Sequence, residues 1–400
     1  MAGLWISIGL LVFAGIVAAG VLVAKGTSGQ ITEVKDKSVL YFDLSGVVSE
    51  RYQPTNIFEL IQSGQSGPSL TLDEMILSLQ AAADDDRILG LYLDCNGAAM
   101  GPASREELLA AIGDFKEAGK WIIAYADSYT QSDYMLASTA DTVSLNPVGC
   151  IDIHGAGGMT PFYKGLLEKL GVKVQIIKVG TFKSAVEPYI LSQMSEPARL
   201  QMQQYIDSIW DYTAGAIADN RDIAVGEIKA LAPQMLMAKS GDYFVENRLA
   251  DNLLYRRQVD LYLKELCGLD SDEDLRLIAP SDYLSSGSKV FGKRTSGDHV
   301  AVYYAVGDIS DSGKEGIVGS EVVNDIIDLA DDDNVLGLVL RVNSPGGSAF
   351  ASEQIWEALQ YFKSKDKPLY VSMGDYAASG GYYISCGADT IFADRTTITG

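Results

Sequence analysis

Short apolar runs alternate with amphipathic stretches along most of the chain. In the second half this pattern predicts strand, helix, strand, helix and strand over 335–342, 351–363, 369–373, 381–386 and 390–393. Strands that alternate with helices favour parallel pairing through right-handed crossovers. We therefore predict an α/β protein with parallel β-sheets and crossover helices.

The same pattern occurs twice. The segment 83–96 (ADDDRILGLYLDCN) matches 330–343 (ADDDNVLGLVLRVN) at a constant offset of 247 residues, which also superposes Phe115 on Phe362. Chance does not hold register over so long a span. We predict tandem homologous units, with a linker rich in Ser, Gly and Lys between them. The predicted bounds are 37–279 for the first unit, 280–297 for the linker and 298–400 for the second unit.

The two copies differ at the bend between their second strand and the following helix. The second copy has Ser379-Gly380-Gly381, whereas the first has Ser132-Asp133-Tyr134 and lacks both glycines. A serine at such a bend can act as a nucleophile, because the partial positive charge of a helix start favours an alkoxide. We predict that Ser379 is the nucleophile and that Ser132 keeps only a structural position.

An acyl-transfer site also needs backbone donors for the developing oxyanion. The second copy has Pro345-Gly346-Gly347 after its first strand, at the carboxyl end where parallel sheets usually place ligands. The predicted oxyanion donors are the N–H groups of Gly347, Gly380 and Gly346. A Pro-Gly-Gly sequence is also common in ordinary turns, and that alternative stays open.

The general base is predicted to be a lysine, because the chain has only two histidines. His154 fits a loop and His299 precedes a strand. Lys183 follows a predicted strand and has apolar neighbours that could desolvate its amine, and serine–lysine pairs are an accepted nucleophile–base couple. An ordinary solvated surface role for Lys183 also stays open, and Lys173 and Lys178 remain as alternatives.

Composition mainly excludes functions. The formal net charge of −22 argues against nucleic acid as a principal partner, because phosphate contacts need a surplus of Lys and Arg. The four cysteines have no short spacing typical of a metal or redox motif. We therefore predict neither a metal nor an organic cofactor.

The run from Leu4 to Ala24 is uncharged and apolar, and it reaches the ~20 residues needed to span a bilayer as a helix. We predict a transmembrane anchor over residues 1–25. A cleaved signal peptide is the alternative, but the run is longer than a signal core and lacks a basic region before it. The charges around the run do not determine its orientation.

On three segments, 180–189 (GTFKSAVEPY), 343–347 (NSPGG) and 374–384 (GDYAASGGYYI), the chain resembles the signal peptide peptidase A family. The resemblance is to its long tandem-repeat type, peptidase family S49, of the ClpP/crotonase superfamily. It implies a serine protease with Ser379 as nucleophile and Lys183, from the other unit, as general base.

The resemblance also implies a homo-oligomeric ring, expected to be a tetramer. The ring would be anchored in the bacterial inner membrane with its catalytic portion in the periplasm. The implied substrates are extended, apolar peptides, namely the signal peptides left after preprotein processing. Whether Lys183 reaches the serine of its own chain or of a neighbour stays open.

Three other functions remain as alternatives. They are a related membrane protease acting on a membrane-scaffold protein, a crotonase-type acyl-CoA hydratase or hydrolase, and an inactive membrane scaffold. Residue 400 aligns with residue 149, so the second copy lacks a counterpart of 150 to about 265. We expect the chain to be truncated, and the 400-residue form alone to be poorly soluble or inactive.

Overall fold

The computed structural model describes residues 33–51, 70–286, 297–313 and 315–400. Within these ranges the chain forms two α/β units, each with its own parallel sheet and hydrophobic core. The first unit has strands β1 to β6, at Ser38–Leu44, Ile88–Cys95, Trp121–Ala126, Thr142–Leu145, Asn252–Leu253 and Leu277–Ile278. Its sheet has the order β5-β4-β3-β2-β1-β6.

Helices α1 to α10 belong to the first unit. They are Leu72–Ala83, Pro102–Glu117, Gln131–Ala137, Lys164–Lys169, Glu187–Ile190, Glu196–Arg221, Val225–Leu231, Gly241–Glu246, Arg256–Leu266 and Pro280–Ser285. A short 3-10 helix also lies at Leu236–Ala238. Helix α9 is strongly amphipathic and buries Val259 and Leu263 in a cluster with Tyr92 and Tyr125 of the sheet.

The second unit repeats this plan. Its strands β7 to β13 are His299–Val306, Ile309–Ser310, Ile317–Val318, Val335–Ser344, Leu369–Ala377, Thr390–Phe392 and Ile398–Thr399. Helices α11 to α13 are Gly319–Asp331, Ala349–Ser364 and Gly380–Ser385. The main sheet has the order β12-β11-β10-β7, with β13 also pairing with β11.

The predicted α/β class with parallel sheets is confirmed, since every paired strand in these two sheets is parallel. The repeat is visible in the cores: Phe115 and Phe362, superposed by the 247-residue offset, are both buried on the equivalent helices α2 and α12. Apolar side chains at the same register therefore fill the same place in each unit.

The segment predicted as a linker begins with helix α10. Tyr283 of this helix is fully buried in the first core, and its hydroxyl donates to Asp85 Oδ2 at 3.0 Å. The first unit thus continues to Ser286, because burial of the Tyr283 ring in its core holds α10 on this unit despite the polar residues nearby. The remaining linker residues 287–296 lie outside the described part of the chain.

The anchor predicted over residues 1–25 also lies outside the described residues. Among the residues that are described, no helix is both long and apolar enough to cross a lipid bilayer.

Candidate active site

Ser379 lies at the bend between β11 and α13. Its backbone has φ 53° and ψ −117°, a combination that costs a non-glycine residue about 1–3 kcal/mol. Such a conformation persists only where the surroundings impose it: Ser379 N donates to Gly400 O at 2.6 Å, and Ser379 O accepts from Tyr383 N at 3.0 Å. The side chain is exposed. The bend therefore presents the serine hydroxyl at the surface while fixing its backbone.

The glycine loop after β10 packs directly against this bend. A methyl group added at Gly346 would lie 2.7 Å from Ser379 Cβ and 2.7 Å from Gly380 N. One added at Gly381 would lie 2.6 Å from Ser344 O. Only glycine permits so close an approach of two backbones, and Gly346 also has φ +103°. The structure thus brings Gly346, Gly347, Ser379 and Gly380 close together.

Two of the three predicted oxyanion donors are open. Gly347 N makes no hydrogen bond within the described chain, and Gly380 N, at the first helical position of α13, has no intrahelical acceptor. A methyl group on Gly380 would lie 3.2 Å from Gly347 N, so the two positions are close. The N–H of Gly346 already donates to Ser344 Oγ at 3.1 Å. Because its N–H is already bonded, Gly346 matters for the close packing of the loop. Gly347 and Gly380 are left as the candidate donors to an oxyanion.

The loop is held from its other side by β8. Ile309 N donates to Gly346 O at 2.9 Å, and Ile309 O accepts from Ser348 N at 2.8 Å. Ser348 Oγ in turn accepts from Ala351 N at 3.2 Å and so caps the start of α12. These contacts fix the orientation of the loop without using the N–H of Gly347.

The first unit shows what happens to this arrangement when the glycines are lost. Asp133 occupies the position of Gly380, and its buried carboxylate accepts from Gly97 N at 3.1 Å and from Thr130 Oγ1 at 2.8 Å. Burial raises the pKa of Asp133. A side chain of the protein itself therefore takes up a loop N–H in the first unit. The structural role expected for Ser132 stays a prediction. The replacement of Gly by Asp was the sequence signal for this contact.

Lys183 is exposed and lies in the segment between α4 and α5. Its apolar neighbours are exposed as well, including Phe182 at 55%. The desolvated setting predicted for this amine is therefore absent in a single chain, because the segment does not pack on the core. The alternative Lys178 lies 4.0 Å from the Glu187 carboxylate, and Lys173 is exposed.

Each of the two histidines lies close to one oxygen atom, and the structural roles expected for them stay predictions. His154 Nδ1 lies 2.8 Å from Asp152 Oδ2, and His299 Nδ1 lies 2.9 Å from Gly297 O. Among the described residues, no cluster of three or more His, Cys, Asp or Glu side chains could hold a metal ion. The groups described at the bend are the Ser379 hydroxyl and the backbone N–H groups of Gly347 and Gly380.

Replacing Gly346 by alanine is expected to reduce reaction of Ser379 with a fluorophosphonate by about 100-fold or more, because the new methyl group displaces the serine bend. The rate of labelling measures the effect. Gly157→Ala is the matched control, since a methyl group there meets no atom within 4 Å. Equal labelling rates for the two variants would contradict the packing described here.

The comparisons with known proteins agree with this scaffold. The family model described as Peptidase family S49 matches residues 114–270 and 361–400, a range that includes the serine bend. The chain is 36% identical over 407 residues to Protease 4 of Haemophilus influenzae, covering 98% of this chain and 66% of that protein. It is 26% identical to the chloroplastic Serine protease SPPA of Arabidopsis thaliana, covering 92% of this chain and 53% of that protein.

One solved structure, an enoyl-CoA hydratase/isomerase family protein from Silicibacter pomeroyi, matches with a TM-score of 0.27 at 15% identity, covering 49% of this chain and 70% of that one. That likeness is too weak to carry an argument. The family model and both of these relatives are described as peptidases or proteases. The chain belongs to peptidase family S49. It spans just under two thirds of the length of Protease 4.

Proposed function

We propose that the protein is a membrane-anchored serine endopeptidase that degrades cleaved signal peptides through an acyl-enzyme on Ser379. The observation that carries this proposal is the direct packing of the Gly346-Gly347 loop against the serine bend, with the N–H groups of Gly347 and Gly380 open. A strained serine beside two open backbone donors is the arrangement that acyl transfer needs.

In the proposed reaction, the amine of Lys183 takes the proton of Ser379 Oγ as that oxygen attacks the carbonyl carbon of a peptide bond. The oxyanion that forms accepts hydrogen bonds from Gly347 N and Gly380 N. The C–N bond then breaks, and the leaving amine takes the proton from the lysine ammonium. Water hydrolyses the acyl-enzyme in the second half, again with Lys183 as base.

The position of Lys183 bears on how the site is completed. The exposed segment around it carries apolar side chains, among them Ile177 at 93% and Val179 at 88% exposure. Exposed apolar surface of this kind is typical of a segment that packs against another surface. We propose that the lysine reaches a serine in a homo-oligomeric ring, where packing would also desolvate the amine.

The names of the relatives and the apolar N-terminal sequence support the proposed substrate and location. Similar proteins are named Protease 4 and Putative signal peptide peptidase SppA. The apolar run 4–24 would hold the enzyme in the bacterial inner membrane, close to the signal peptides released there. An extended apolar peptide can dock along a strand edge beside the serine.

The test is to treat the full-length protein with a fluorophosphonate and to map the labelled peptide by mass spectrometry. We expect one label per chain, on the peptide that contains Ser379, and cleavage of a synthetic signal peptide by the unlabelled enzyme. A label confined to other residues would reject the assignment of the nucleophile. Turnover of acyl-CoA thioesters without peptide cleavage would instead favour a crotonase-type hydrolase.

A further inference from the structure

Two buried carboxylates join the first unit to the two strands that carry the candidate site. Asp375, on β11 of the second unit, is only 7% exposed and reaches the start of helix α2 in the first unit. Its Oδ1 accepts from Ala103 N at 2.8 Å and Ser104 N at 3.1 Å, and its Oδ2 accepts from Ser104 Oγ at 2.7 Å. The second unit thus supplies the cap of a helix in the first.

The other carboxylate belongs to the first unit and binds side chains of the second. Glu50 of the first unit accepts from Arg341 Nε at 3.1 Å and Nη2 at 3.0 Å, and from Asn343 Nδ2 at 3.0 Å. Arg341 also donates to Glu107 Oε1 at 2.7 Å. The side chains of Glu50 and Arg341 are 7% and 9% exposed, so the contact is shielded from water.

Both contacts lead directly to the proposed catalytic groups. Asp375 precedes Ser379 by four residues on the same strand and bend. Asn343 immediately precedes the Ser344-to-Gly347 loop, and its Oδ1 accepts from Tyr376 N at 3.1 Å. Glu50 therefore holds the base of the donor loop through Asn343, and the same asparagine ties that loop to the serine strand.

The arrangement belongs to the second copy alone. The residue superposed on Arg341 by the 247-residue offset is Asp94, which pairs with Arg256 of its own unit at 2.7 Å. Two glycines, Gly101 and Gly374, leave the space that the carboxylates of Asp375 and Glu50 occupy. A methyl group at Gly101 would lie 2.0 Å from the Asp375 carboxyl carbon, and one at Gly374 would lie 2.6 Å from Glu50 Oε1.

We propose that Asp375 and Glu50 are positioning residues, through which the first unit fixes the serine bend and the donor loop relative to each other. The proposal rests on the proposed function of Ser379. A carboxylate with several buried donors has one favoured position, because moving it leaves those donors unpaired. Asp375 thereby fixes β11, which leads to the serine bend, and Glu50 fixes β10, which leads to the donor loop.

The test compares the concentration dependence of fluorophosphonate labelling across variants of the full-length protein. Asp375→Ala removes the cap, and Gly101→Ala displaces the carboxylate at a position whose φ of −66° suits alanine. We expect each to lower the maximal labelling rate by about 10- to 100-fold while the half-saturating probe concentration changes by less than about 3-fold. Glu50→Ala is expected to act likewise through Asn343.

Two further variants separate positioning from general stability. Asp375→Asn keeps Oδ1 as an acceptor for both backbone N–H groups and is expected to retain the labelling rate within about 5-fold. Gly113→Ala lies on the same helix, where a methyl group meets nothing within 4 Å, and should label like the wild type. Thermal unfolding is followed for all variants. If Asp375→Ala does not fold, the labelling rates of Gly101→Ala and Ser104→Ala test the positioning role of Asp375 instead.

The outcomes distinguish the two proposals. Wild-type maximal rates in Gly101→Ala and Asp375→Ala, with the label still on Ser379, would overturn the positioning role and leave the proposed function intact. A lowered unfolding temperature with an unchanged maximal rate would assign these contacts to stability and also overturn it. Absence of any label on Ser379 in the wild type would reject both.

Discussion

Replacing Ser379 by alanine is expected to abolish fluorophosphonate labelling of the full-length protein and to lower peptide cleavage by at least ~1,000-fold. The physical reason is that the acyl-enzyme cannot form without Oγ, whereas the neighbouring donors can only stabilise a slower attack by water. Cleavage of a synthetic signal peptide, followed by chromatography, measures the loss. The unfolding temperature should stay close to that of the wild type, since the side chain is exposed.

The chain contains a matched control for this substitution. Ser132→Ala removes the superposed serine of the first unit, where Asp133 already takes up a loop N–H. It should cleave and label like the wild type. Loss of labelling in Ser132→Ala but not in Ser379→Ala would move the nucleophile to the first unit.

Replacing Lys183 by alanine is expected to lower the labelling rate by about 100- to 10,000-fold, the range typical of a lost general base. Only the neutral amine can accept the serine proton, so the wild-type rate should rise with pH. The variant should lack the part of that rise that depends on the lysine. Labelling rates measured between about pH 7 and 9 give both the loss and its pH dependence.

The control for this variant is Lys178→Ala on the same exposed segment. Lys178 Nζ lies 4.0 Å from the Glu187 carboxylate, and its loss should leave the pH dependence unchanged. Mixing the Ser379→Ala and Lys183→Ala proteins tests which chain supplies the base. We expect mixing to restore labelling, because Lys183 and its apolar neighbour Phe182 are exposed in a single chain. Wild-type pH dependence in Lys183→Ala would mean that another group is the base.

The elements that follow the apolar pattern could be predicted from the sequence. The repeated segment ending in Asn343 marks β10, observed at Val335–Ser344, and the strand predicted over 369–373 is present. That strand, however, continues to Ala377. The polar residues at its end could not be assigned to the strand from local sequence, because the partners of Asp375 lie more than 270 residues earlier in the chain, at Ala103 and Ser104.

In the candidate site, the features set by local sequence motifs could be predicted, and those set by side-chain packing could not. The Ser-Gly-Gly and Pro-Gly-Gly motifs indicated that two backbones approach closely, and they do. The use of the Gly346 N–H by Ser344 was not foreseen, since it depends on a side-chain rotamer rather than on spacing. The exposure of Lys183 was also missed, because apolar neighbours along the sequence do not bury an amine unless they themselves find a surface to pack on.

The carboxylate of Asp133 has a consequence for inhibitor binding. It places a buried side chain of the protein itself at the first-unit loop that corresponds to the donor loop of the second unit, where it accepts the N–H of Gly97. An inhibitor that mimics the tetrahedral intermediate therefore meets one receptive loop in each chain, although the fold contains two copies of it. In any assembly of this protein, the stoichiometry of such an inhibitor should equal the number of chains and not the number of repeats.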